Sequence, residues 1–346
     1  MGMEHLRYDD DEPLPAALAA GPAAQPLEEN LLRVADFAGT LHGKGNLLGS
    51  GSFGDVRRVM WRRTPCAAKF AHAIGNDQKA LFLRELRLLA RIRHPNIVQF
   101  LGYIEDPFVI VMELILEGDL RSYWKSHRMS VAHKTSVCIE VLRALAYLHN
   151  RTPSSIIHRD IKPTNVLITS SGVAKLTDFG LGRIYRGEGL DGSKHAGVAF
   201  QPFVAREAVK AVSTRSSTPS SVRRRGRESH DGSLVARATA VVGTEPYMAP
   251  EANQISYTEK IDIYSAAVTF YELFEQASFD PNTPFAWGVS PTKVRSLIRE
   301  MGSFDPCERP SALACIDLFD ETGLARPSGF GSCWSGLMTR YRMNIR

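Results

Sequence analysis

The stretch His158-Arg159-Asp160-Ile161-Lys162-Pro163-Thr164-Asn165 sets a carboxylate, an ammonium and a carboxamide at i, i+2 and i+5. It follows a segment of helical periodicity, 136–148, in which Val137, Val141, Leu145 and Leu148 share one face. It precedes two short β-type runs, 166–169 and 173–177, joined by Ser170-Ser171-Gly172, and Asp178-Phe179-Gly180 stands just beyond. A hairpin there brings Asn165 and Asp178 to its two ends, where their side-chain oxygens are hard ligands suited to Mg2+. Asp160 is then left to accept the proton of a hydroxyl. Any one of these groups could occur in an ordinary loop; the whole set in this order points to chemistry.

Toward the N-terminus, short β-rich runs at 46–48, 56–61, 66–70, 97–102 and 108–114 surround one helical pattern at 78–92. Beyond the central stretch the pattern is mainly helical, and 261–274 is apolar nearly all round, as a buried central helix would be. The expected fold is therefore α+β and bilobal, with a small strand-rich lobe followed by a larger helical one. Gly49, Gly51 and Gly54, with Val56, keep the spacing G-x-G-x-x-G-x-V, which lets backbone N–H groups approach phosphate oxygens. A flexible turn between two strands reads equally well from these residues alone. The strand-like run that follows argues against a dinucleotide-binding turn, which would open a helix. Lys69 sits in a short apolar strand. Glu85 lies four residues after Leu81 and four before Leu89, so it projects from the apolar face of its helix or that face's margin. A carboxylate there calls for a cation, and Lys69 is the natural one; the alternatives are a Lys69 that points to water and a Glu85 that reaches solvent.

With 346 residues, 44% hydrophobic and 23% charged, the chain can bury a substantial core. No apolar run approaches the roughly 20 residues that cross a bilayer, so no membrane span is expected. Cys66, Cys138, Cys307, Cys315 and Cys333 are scattered without metal-ligand spacing and read as free thiols in a reducing, cytoplasmic setting. The net charge of +5 is concentrated in one arginine run and does not argue for direct nucleic-acid binding.

Together these motifs resemble those of the eukaryotic protein kinase family, over roughly residues 41–325. The resemblance implies ATP and Mg2+ as the nucleotide and metal, and protein Ser/Thr hydroxyls as acceptors. Leu48, Gly49, Ser50, Gly51, Ser52, Phe53, Gly54 and Val56 would cover the nucleotide. Ala67, Met112 at the gatekeeper position, the backbone of Glu113 and Ile115, and Leu167 would surround adenine. Lys69, oriented by Glu85, would hold the α- and β-phosphates; Asn165 and Asp178 would bind Mg2+. Asp160 would align and deprotonate the hydroxyl, with Lys162 neutralising charge on the transferring phosphoryl. Leu89, Phe100, His158 and Phe179 would stack on an anchor at Asp262. Ala249-Pro250-Glu251 closes the activation segment, and Arg309 matches the arginine that pairs with Glu251. Lys162-Pro163, and Thr244 placed to hydrogen-bond Asp160 and Lys162, favour the Ser/Thr type; the stretches 94–102 and 262–265 are similar to the tyrosine-kinase-like group. A pseudokinase would be expected to lack Lys69, Asp160 or Asp178, and a small-molecule kinase the Glu251 and Arg309 pairing.

Arg159, beside the catalytic aspartate, implies regulation by a phosphate placed on the activation segment by an upstream kinase, with Thr239 the first candidate. Pairing of Arg159 with an acidic side chain is the alternative. The span from Asp178 to Glu251 is more than twice what the family needs. Its surplus, about 186–238, is expected to be a disordered, phosphorylatable insertion. The run Arg223-Arg224-Arg225-Gly226-Arg227 within it is a nuclear signal, an anion-docking patch or a solvated linker. The span from Asp262 to Arg309 is shorter than usual, and Ala267 replaces a common glycine. The expected organisation is a disordered tail at 1–38, an N-lobe at 41–112, a hinge at 113–117, a C-lobe at 118–325 and a tail at 326–346.

Overall fold

A computed structural model describes residues 27–37, 39–42, 46–51, 54–71, 76–152, 154–186, 243–253, 257–288 and 290–325. Ser52, Phe53, Thr239, residues 187–238 of the expected insertion and the expected tail at 326–346 lie outside the described residues.

The first lobe is a five-stranded antiparallel sheet ordered β1-β2-β3-β5-β4. Its strands are β1 (Leu47–Gly51), β2 (Gly54–Trp61), β3 (Thr64–Ala71), β4 (Phe100–Ile104) and β5 (Val109–Glu113), with helix α1 (Asn76–Leu89) between β3 and β4. Period-2 alternation decides which side chains go where. On β5, Ile110 and Met112 join the main core with Leu86, Leu89 and Phe100 of α1 and β4. Val109 and Val111 point the other way, into a second cluster with Val59, Cys66 and Ala68. α1 stops at Leu89, short of the expected 92, because Arg91 and Ile92 turn back on the Leu88 and Leu89 carbonyls.

The second cluster corrects the expectation of a structureless tail as far as residue 38. Phe37 and Leu41 are buried in it, three short 3-10 turns run from Leu27 to His42, and Leu32 N–H donates to Tyr103 O at 2.8 Å. A β-carbon on Gly102 would lie 2.6 Å from Asn30 O, so only glycine lets this segment cross β4 so closely. An apolar sheet face needs a cover, and residues 27–42 supply it.

The second lobe is helical. α2 (Leu120–Ser126) and α3 (Val131–His149) begin at Asp119 and Ser130, each accepting a backbone N–H three residues on. α4 (Lys260–Glu275) is buried nearly all round, as its apolar sequence requires. α5 (Thr292–Met301) and α6 (Ala312–Glu321) pack on α4 and α3. Between them lie two small sheets, β6 (Ser154–Ile157) with β9 (Arg183–Arg186), and β7 (Val166–Ile168) with β8 (Ala174–Leu176). The α+β, two-lobed architecture expected from the sequence is the one observed. Residues 96–98 join the lobes: Leu176 N–H donates to Asn96 O, and Val98 N–H to Leu176 O. This parallel bridging is why the strand expected from 97 begins only at Phe100.

His94, just before this seam, stacks on Tyr147 of α3 with ring centroids 5.0 Å apart. Burial, reinforced by Arg143 and Lys175, pushes its imidazole down to about 4. The ordinary histidine value is about 6.5, so between the two values the unfolded chain binds the extra proton. Stability from this group is complete above about pH 6.5 and is lost as pH falls toward 4. Acidification from pH 7 to 5 is expected to remove up to about 2 kcal/mol through His94. Urea titrations at both pH values check this: the loss should be smaller in His94→Asn than in the wild type.

Candidate active site

Strand β3 and helix α1 face each other across the first lobe, and their polar members meet. Lys69 Nζ donates to Glu85 Oε1 and Oε2 at 2.7 and 3.0 Å, and to Asp178 Oδ1 at 3.0 Å. Glu85 is 7% exposed, so it is the partnered carboxylate rather than the solvent-seeking one. Burial disfavours the Lys69 ammonium, yet Glu85 and Asp178 outweigh it and hold its pKa above the ordinary lysine value. Burial pushes the Glu85 carboxyl upward against the pull of Lys69. Burial alone would also raise Asp178, but the Lys69 ammonium outweighs it and leaves that carboxyl below the ordinary aspartate range.

The loop from His158 to Asn165 is hung from α4. Asp262, fully buried, accepts the N–H groups of His158 and Arg159 at 2.8 Å each, and His149 Nε2 lies 2.9 Å from it. Burial would raise the Asp262 carboxyl; His149, His158 and the Arg159 N–H outweigh it and hold it below its usual range. His158 reaches Thr177 O at 3.0 Å and meets the Phe179 ring edge-on at 4.7 Å, as the expected stack requires. Arg159 and Asp178 both adopt positive φ, 73° and 62°. Such conformations cost non-glycine residues energy and concentrate at functional sites.

Asp160 is gripped from three sides. Thr244 Oγ1 donates to its Oδ1 at 2.8 Å, while Lys162 Nζ and Asn165 Nδ2 donate to its Oδ2 at 2.7 and 2.8 Å. Lys162 Nζ also donates to Thr244 Oγ1 at 2.7 Å. Asn165 spends its amide nitrogen on Asp160, which turns its oxygen away from that carboxylate. Thr177 N–H donates to Asn165 O at 2.9 Å, so the hairpin β7–β8 ties Asn165 to the residue before Asp178. Two oxygen donors at one hairpin base fit a Mg2+ ion that takes its other ligands from phosphates and water.

Of the residues expected to cover the nucleotide, Leu48, Gly49, Ser50 and Gly51 lie on β1 and Gly54 and Val56 on β2. Gly54 has φ 153°, and a β-carbon there would lie 2.0 Å from Phe70 O, so the chain can turn from β1 to β2 against β3 only with glycine. Ser50 Oγ donates to Asp55 across that turn at 2.8 Å. Leu48 is exposed at the rim; Val56 and Lys69 are cross-strand partners. Ala67 and Met112 are likewise paired and both buried. Leu167 and Ile115 are half-buried against the main core. Glu113 gives its N–H to Gln99 O at 3.0 Å, which leaves its carbonyl as the backbone group that could serve the adenine contact expected of it.

Glu251 and Arg309 form a buried bidentate pair at 2.5 and 2.9 Å, and Arg309 also donates to the Ser303, Lys260 and Phe304 carbonyls. Arg159 pairs with no carboxylate among the described residues; its guanidinium lies over the Tyr257 ring at 5.4 Å. Burial and Arg183 depress it, with Tyr257 and the Asp262 carboxylate opposing. Arg84 of α1 is pushed down to about 10 by burial and then by Arg183 and Arg159. Arg84 also donates to the Gly182 carbonyl, and of these three arginines only Arg159 falls in a motif. Arg84 and Arg183 carry no motif, and a lone charge on a helix or strand reads as a solvated face.

The family described as Protein kinase domain matches residues 43–221. The chain belongs to this family. The kinase domain is also similar to serine/threonine-protein kinase VIK of Arabidopsis thaliana, 29% identical over 306 residues, which are 82% of this chain and 60% of VIK. It is 27% identical to the probable serine/threonine-protein kinase DDB_G0271682 of Dictyostelium discoideum over 279 residues, 76% of this chain and 23% of that protein. Human mitogen-activated protein kinase kinase kinase 7 is 28% identical over 287 residues, 77% of this chain and 39% of that protein. The chain therefore spans less than two thirds of the length of each of these relatives.

Proposed function

We propose that this chain is an ATP- and Mg2+-dependent protein serine/threonine kinase of the tyrosine-kinase-like group. The observation that carries the reading is the Asp160 carboxylate held at 2.7–2.8 Å by Lys162, Asn165 and Thr244, joined through the β7–β8 hairpin to the Lys69–Asp178 contact. Phosphoryl transfer needs positioning and charge neutralisation more than covalent help. Lys69, braced by Glu85, would grip the α- and β-phosphates. Asp178 and Asn165 would hold Mg2+, which when bound neutralises phosphate charge. Asp160 would orient the incoming hydroxyl and take its proton, and Lys162 would counter charge on the moving phosphoryl. Thr244, next to Lys162 and Asp160, supports Ser/Thr acceptors, and the relatives' names point the same way.

Arg159, whose guanidinium lies over Tyr257 with no carboxylate partner among the described residues, supports control by a phosphate on the activation segment, placed there by an upstream kinase. Thr239 is the first candidate for it. Four free cysteines among the described residues suit a reducing, cytoplasmic setting. Incubation with ATP and Mg2+, followed by intact mass and peptide mapping, tests the reading. Phosphate should appear on serines and threonines of the chain or of an added protein; unchanged masses in both would overturn it.

A further inference from the structure

The hinge side of the cleft carries an ion pair that the motifs do not include. Lys175 Nζ lies 2.5 Å from Glu113 Oε1, with side chains 18% and 27% exposed. The same Glu113 oxygen accepts the Gln99 N–H at 2.8 Å. Glu113 N–H in turn donates to Gln99 O at 3.0 Å. The carboxylate thereby stands in for a ladder bond where the β4–β5 register slips between Phe100 and Gly102. The first lobe, through Gln99, and Lys175 hold the same carboxylate oxygen. Lys175 is the central residue of β8 and the cross-strand partner of Leu167. Its hairpin has Asn165 just before β7 and Asp178 just after β8. One carboxylate therefore joins the end of the strand that leads into the hinge to the hairpin that carries both proposed metal ligands.

We infer that the Glu113–Lys175 pair is a positioning strap that sets the spacing between the adenine-facing hinge and the metal-holding hairpin. The inference rests on the nucleotide reading given above. An isolated, partly exposed pair would add little. This one shares its acceptor with a backbone donor and bridges two elements that contact opposite ends of one ligand, so its effect falls on ligand geometry. It is present together with the closed Lys69–Glu85–Asp178 contact, so its loss should weaken nucleotide binding rather than improve it.

The test uses the full chain with Glu113→Gln, Lys175→Met and the charge-keeping Lys175→Arg, which leaves the carboxylate and its Gln99 bond in place. ADP-Mg affinity by calorimetry and KM for ATP and for a Ser peptide are measured, with Tm as a check on folding. Glu113→Gln and Lys175→Met should each raise the nucleotide Kd and the KM for ATP by about 3- to 10-fold. KM for the peptide should stay unchanged, and Lys175→Arg should keep most of the affinity. Unchanged nucleotide affinity in both Glu113→Gln and Lys175→Met would overturn the strap, as would higher kcat without an affinity change, or a Lys175→Arg that keeps Tm but loses affinity as fully as Lys175→Met. A wild-type chain that binds no nucleotide would overturn the nucleotide reading and the strap with it; a binding wild type with indifferent variants overturns the strap alone.

Discussion

Replacing Asp160 by Asn is expected to lower kcat for peptide phosphorylation by about 10²- to 10⁴-fold, the span of general acid–base catalysis. The amide matches the carboxylate in shape but cannot take a proton. It also presents an N–H to a site already crowded with donors, since Thr244, Lys162 and Asn165 all point at this carboxylate. One of those bonds must break, and the loop retains its anchorage because Asp262 holds the His158 and Arg159 N–H groups independently. KM for ATP should therefore change little, because the proposed phosphate and metal contacts belong to Lys69, Asn165 and Asp178. Steady-state kinetics with a Ser peptide would separate the two parameters. A kcat within a few-fold of wild type would remove Asp160 from its assigned role.

Replacing Arg309 by Ala should destabilise the chain by about 3–5 kcal/mol, the usual effect of stranding one member of a buried ion pair. Arg309 is 1% exposed and Glu251 7%. Removal of the guanidinium leaves a buried carboxylate and three backbone carbonyls without their donor. Lysine would not rescue the site, because one ammonium cannot reproduce a bidentate fork spread over so many acceptors. A double variant, Arg309→Met with Glu251→Leu, should recover part of the loss, since the uncompensated charge is gone. Urea denaturation of the four proteins measures each term. A single-variant loss below about 1 kcal/mol would mean that water reaches Glu251.

The parts of this site legible in the sequence are those written in short spacing. Asp160, Lys162 and Asn165 occupy one loop, and the hairpin that follows delivers Asp178 without any long-range guess. Helical period placed Glu85 on a buried face, which demanded a cation. What escaped reading depends on contacts between distant segments. The cover formed by residues 27–42 hides two apolar anchors, Phe37 and Leu41, whose partners lie on β2, β3, β4 and β5, far along the chain. His149 meets Asp262 across 113 positions, and Lys175 meets Glu113 across 62; no local pattern announces either. Element ends shifted where another chain segment competed for the backbone, as Leu176 does for residues 96–98.

Transfer of a labelled terminal phosphate from ATP to matched Ser, Thr and Tyr peptides, in the presence and absence of Mg2+, tests the account most directly. Label should reach the Ser and Thr peptides only, only with Mg2+, and not in a chain carrying Asp178→Asn. Label on the Tyr peptide alone, or none on any peptide after the chain has first been phosphorylated on its activation segment, would contradict it.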